Sequence, residues 1–160
     1  MRKFSKSVKK SSPHVGSPRV DGAGKQPVSR LVEWRRAEDV DRRLKKLINN
    51  LNLGWAKQGK IHSFRSRHSK TKAYARIWGL TRIWQKALGE KPTYIVEIIS
   101  ERFDKLDADK QDKILLHELA HIPKNFSGSL LPHIRKGKRK FDSKVDILVA
   151  QYNKIKKMNK

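Results

Sequence analysis

The chain has 160 residues, 36% of them hydrophobic, no cysteine, and 39 Lys and Arg against 15 Asp and Glu, a formal net charge of +24. That length supports one compact domain with extensions. The missing cysteines exclude disulfide partners and thiolate–metal sites, and no apolar run approaches the roughly 18 residues of a membrane span. The charge far exceeds the magnitude of about 2 to 8 that solubility asks of a small domain.

Residues 1–30 are rich in Ser, Lys, Pro and Gly without any period, which predicts a disordered or extended basic arm ahead of a domain over 31–160. Its first residues, MRKFSKSVKKSSPHVG, lack the apolar stretch of a secretory signal, so a cytoplasmic, reducing setting is expected. Residues 33–51 predict a helix, with Trp34, Ala37, Val40, Leu44, Leu47, Ile48 and Leu51 at three- and four-residue steps. Residues 61–67 and 73–79 predict strands, 82–88 a short helix, and the GEKP at 89–92 a turn. The β-branched run TYIVEII at 93–99 predicts a buried strand. Asp107 opens a helix that Pro123 stops after Ile122. A loop over 124–140 leads to a last helix at 142–157, with Asp142 or Ser143 as N-cap.

The helix at 107–122 carries the chemistry. His117 and His121 stand at i and i+4, so both imidazoles leave one helical face a turn apart and can reach one ion. Glu118 lies about 100° around the same turn, able to take a proton from a zinc-activated water without ligating the metal. Ile114, Leu115, Leu119 and Ile122 supply the buried side of the helix. A third protein ligand is required, and with no cysteine it must be His, Asp or Glu. His133 ranks first, because a glycine-containing loop lets the chain turn back over the helix; Asp142 and Asp146 compete for the place. His62 and His68 sit in basic surroundings and His14 in the arm, away from this centre. Tyr152 is the candidate oxyanion donor.

YIVEIISERFDKL followed by LLHELAHIPKNFSGSLLPH resembles the metallopeptidase family described in phages and archaea, whose short members share an HELxHIP helix, an F-S-G segment and a P-H dipeptide. The resemblance spans about residues 61–152. It implies a zincin-like α+β fold, a small mixed sheet packed against the HExxH helix, with zinc on His117, His121 and His133 and Glu118 as the base.

Charge is distributed unevenly: residues 93–121, with 4 basic and 7 acidic side chains, are the one acidic segment, whereas 54–92 hold 10 basic and 1 acidic. Arg65, Arg67, Lys70, Lys72, Arg76 and Arg82 alternate with Trp78 and Trp84, a mixture that can grip phosphates and stack on unpaired bases. Arg135, Lys136, Lys138, Arg139 and Lys140 follow His133 directly, and the arm adds Arg2, Lys3, Lys6, Lys9, Lys10 and Arg19. Together these lead to the expectation of a metal-binding domain that lives on RNA, namely ribosomal RNA among neighbouring ribosomal proteins. The alternative is an active intracellular zinc peptidase, of phage or mobile-element origin, acting on nucleoprotein substrates.

Overall fold

The computed structural model describes residues 31–133 and 141–158. Nine principal elements follow one another: β1 (Glu33–Arg36), α1 (Glu38–Asn50), β2 (Lys60–Arg67), β3 (Ala75–Gly79), α2 (Arg82–Leu88), β4 (Thr93–Ile99), α3 (Ser100–Phe103), α4 (Ala108–Ala120) and α5 (Phe141–Met158). The strands make one mixed sheet in the order β1-β2-β4-β3, with β2 and β4 parallel and both outer pairs antiparallel. This is the α+β arrangement expected from the sequence.

The alternation of β4 divides the sheet into two unlike faces. Tyr94, Val96 and Ile98 point to the helices and join Leu44 and Leu47 of α1, Leu115, Leu116 and Leu119 of α4, and Val145 and Leu148 of α5 in one core. Each fully buried aliphatic side chain there is worth about 1.5–3 kcal/mol. The opposite face carries Ile95 and Glu97, and among the described residues no helix contributes to a core on that side.

Boundaries of α2 and β4 coincide with the apolar and turn patterns, and Gly89 closes α2 in the left-handed conformation (φ 66°). Asp107 caps α4, accepting a hydrogen bond from the Lys110 N–H at 2.8 Å. The long N-terminal helix over 33–51 is corrected. Residues 33–36 form β1, and Trp34 pairs opposite Ser66 rather than heading the helical stripe. The Ala37 N–H donates to Ser63 O at 3.0 Å, and this long-range pairing outweighs the local helical period. The last helix begins at Phe141, so Asp142 and Ser143 lie within its first turn rather than at its cap. The basic arm at 1–30 lies outside the described residues.

Candidate metal centre

Helix α4 presents His117, Glu118 and His121 toward β3. The two histidine rings stand 5.2 Å apart between centroids, as the one-turn spacing dictates. His133 is delivered by the loop after α4, and the route shows why that loop has its sequence. Phe126 turns the chain with φ 46° and buries its ring edge-on to Tyr94, 4.8 Å between centroids. Gly128 has φ 83°, and a Cβ there would lie 2.0 Å from Leu80 O, so only glycine fits. Its N–H donates to Tyr94 Oη at 2.8 Å, and Tyr94 in turn donates to Ser129 O at 2.9 Å. Leu131 then returns over the end of α4, its N–H donating to His121 O at 2.7 Å.

The result is a cluster of three histidines whose ligand atoms lie within 4.8 Å of one another. His117 Nε2 and His133 Nε2 are 3.0 Å apart. His121 Nδ1 donates to Leu131 O at 2.6 Å; since a carbonyl can only accept, the proton sits on Nδ1 and the Nε2 lone pair is left for an ion. Burial lowers the His121 pKa, which keeps the ring neutral as a ligand must be, even though the Leu131 hydrogen bond acts the other way. Two nitrogens bound tetrahedrally at 2.0–2.1 Å from zinc stand roughly 3.3 Å apart, close to the His117–His133 separation. The donor set, all imidazole with its second-layer hydrogen bond in place, therefore fits a zinc-type ion. Asp146, the competitor in α5, is exposed and is not in this cluster.

Glu118 is buried, 8% exposed, beside the histidines. Burial pushes its carboxyl up to about 7, against a hydrogen bond from the backbone of Ile77 that pulls it down. That bond follows from strand register. Ile99 N–H bonds Tyr74 O and Leu80 N–H bonds Thr93 O, so the even-numbered backbone groups of β3 face β4. The groups of Ala75 and Ile77 face outward, toward α4. A cleft of about 490 Å³ runs along this edge, lined by Ala75, Arg76, Ile77, Trp78, Glu118 and Leu130 with the three histidines.

Three participants carried no sequence signal. Phe141 stacks on His121 at 4.2 Å between centroids. Lys144 Nζ donates to Ala120 O at 2.6 Å, capping α4 where the helix dipole favours a cation. Ile77 contributes only its backbone. Tyr152 is corrected as an oxyanion donor: its hydroxyl donates to Asp112 at 2.9 Å, and Arg43 holds the other carboxylate oxygen at 2.5 Å.

The basic positions divide. Arg65 is consumed by Asp39 and Asp104, and Arg76 by Glu97. Arg67, Lys70, Lys72 and Arg82 are exposed. Arg135, Lys136, Lys138, Arg139 and Lys140, and the six cations of the arm, lie outside the described residues.

A family model described as "Putative phage metallopeptidase" matches residues 32–147. The match begins well upstream of residue 61, taking in β1 and α1. No curated protein and no solved structure matches.

Proposed function

The chain belongs to the phage metallopeptidase family, and from that membership we propose that it is a zinc-dependent peptidase with His117, His121 and His133 as ligands and Glu118 as general base. The observation that carries the reading is the convergence of His133 on His117 across a loop, beside a buried glutamate. Zinc, when bound, supplies a Lewis acid that polarises the scissile carbonyl and acidifies water. Glu118 takes the proton of the attacking water on its carboxylate and passes it to the leaving amide nitrogen. The Ile77 N–H aims that carboxylate, and Leu131 O holds the His121 ring in one tautomer. An extended peptide would lie in the cleft along the outer edge of β3, its backbone beside the histidines. Gly128 closes the far end, where its carbonyl lies within 2.3 Å of a Cβ placed on Gly79.

Of the two expectations drawn from the sequence, the peptidase has the better support. The family's description says nothing of RNA or ribosomes, and the ribosomal reading stands on charge alone. Among the described residues no helix is long and apolar enough to cross a membrane.

The test is metal analysis joined to hydrolysis. The purified chain should hold one zinc and cleave an unfolded protein such as reduced casein, with activity lost to a chelator and restored by zinc. His133→Ala should lose the stoichiometric zinc, whereas Asp146→Ala should keep it. A chain that holds zinc at one equivalent, keeps it in the His133→Ala variant, and hydrolyses nothing would refute both the ligand set and the activity.

A further inference from the structure

The open face of the sheet, on the side away from the core, carries a second constellation. Cross-strand pairs place Trp34 and Arg36 of β1, Phe64 and Lys60 of β2, Ile95 and Glu97 of β4, and Arg76 and Trp78 of β3 on this one face. Glu97 lies at its centre, 2% exposed. Trp34 Nε1 donates to one of its carboxylate oxygens at 3.1 Å, and Trp78 Nε1 to the other at 2.8 Å. Arg76 completes the arrangement at 3.0 Å. The indole rings are thereby locked by their polar ends while 59% of Trp34 and 51% of Trp78 stay exposed. Arg76 lies 5.2 Å from the Trp78 ring centroid, and Arg36 lies 5.3 Å from that of Phe64.

Large apolar rings held rigid at a surface suit a partner that stacks. The charges decide which partner. Among the described residues the one carboxylate of the face, Glu97, is buried and paired with Arg76, and Arg36 pairs with Asp41 at 2.8 Å at the rim, so the charges left facing solvent are cationic: Lys60, with Lys70 and Lys72 exposed on the connection from β2 to β3. A second copy of a chain with a net charge of +24 is repelled here, and so is the arm at 1–30, with 8 basic residues and 1 acidic. A polyanion is attracted. Fixed aromatic rings reaching in from the two outer strands of a four-stranded sheet to one central carboxylate, rimmed by cations, form a surface that takes splayed bases on the rings and phosphates on the rim. Unpaired bases of that kind belong chiefly to RNA loops and ends.

We propose that the open face of the sheet binds single-stranded RNA, stacking bases on Trp34 and Trp78, which Glu97 holds in place. Arg76 and Trp78 also line the histidine cleft, so the face adjoins the metal centre; RNA affinity and zinc content are separate readouts, and failure of one leaves the other standing.

The test uses the full chain and a fluorescein-labelled oligouridylate of about 12 nucleotides, followed by anisotropy across a salt series. Tight binding to the single strand is expected, at least about tenfold stronger than to a duplex of equal length. The double variant Trp34→Leu, Trp78→Leu should bind roughly 30-fold more weakly or worse with the salt slope unchanged, because rings and not charges are lost. Trp34→Phe with Trp78→Phe should fall between the parent and the leucine variant, since a ring face survives but the indole N–H that Glu97 holds is lost. Zinc content and melting temperature report whether each variant is folded. If the double leucine variant fails to fold, Trp34→Leu alone, on the edge strand, should still cost about fivefold or more. Equal affinity of parent and leucine variants, equal affinity for duplex, no binding at all, or a dimer that the leucine substitutions dissolve would each overturn the assignment. A tenfold preference for oligothymidylate over oligouridylate would overturn RNA as the partner.

Discussion

Glu97 and Glu118 are the two glutamates among the described residues that the fold buries, and they meet opposite fates. Burial raises both. At Glu118 one backbone hydrogen bond opposes it, and the carboxyl is pushed up to about 7. At Glu97 the hydrogen bonds from Arg76, Trp78, Ser66 and Trp34 together outweigh burial and hold the carboxyl below the ordinary value. The two differ in the count of donors and in how strongly burial acts on the carboxyl. A buried carboxylate with few donors is left basic enough to accept a proton; one ringed by donors becomes a fixed anchor.

The largest expected effect tests the first half of that contrast. Glu118→Gln should lower peptide hydrolysis by about 10²–10⁴-fold, measured as initial rate on the zinc-loaded protein, and zinc should remain at one equivalent. Loss of the metal instead would make Glu118 a ligand and dissolve the comparison.

The second half predicts stability rather than rate. Glu97→Gln removes the charge that Arg76 pairs with and puts an amide N–H₂ among donors. With Arg76 partly solvated, the cost should be about 2 kcal/mol in urea unfolding at neutral pH. Zinc content should be unchanged, because Glu97 is not among the clustered ligands.

A pH series sharpens the same point. The Glu97 carboxyl titrates lower in the folded chain than in the unfolded one. Its contribution is therefore complete above the ordinary carboxylate value of about 4.5 and is lost as pH falls through the folded value. The Glu97→Gln protein should show a flatter loss of stability in acid than the parent. If the two acid limbs superimpose, the donors do not hold Glu97 ionised.

The smallest effect concerns the support of the metal helix. Lys144→Met should cost about 1 kcal/mol of stability by uncapping α4 at Ala120 and Ile122. An unchanged unfolding midpoint would mean that solvent satisfies those carbonyls equally well.

Legibility from the sequence followed the range of the interaction. Strand β4 and helix α2 were readable to the residue because an unbroken β-branched run and the Gly89 stop are local. Helix α4 was readable from Asp107 and Pro123 for the same reason. Trp34 was not: its spacing suits a helix, yet the pairing of β1 with β2 takes residues 33–36 into the sheet and turns the indole to the open face. Tyr152 offered a plausible hydroxyl, and only the packing of α5 on α4 showed that Asp112 claims it.

Some of the centre was settled by the chain on its own. His117, Glu118 and His121 share a helical face because 3.6 residues per turn is a property of any α-helix, and the excess of cations is simply counted. Tertiary structure decided the rest. His133 reaches His117 because Phe126 is anchored in the core and Gly128 adopts a positive φ against Leu80. Ile77 meets Glu118 because the register of β3 on β4 turns its N–H outward. Trp34 and Trp78, 44 residues apart in the chain, share one carboxylate because the β1-β2-β4-β3 order carries them to the same face. Such contacts depend on which loops close and which strands pair, and those choices are set by burial of the whole core, not by any local spacing.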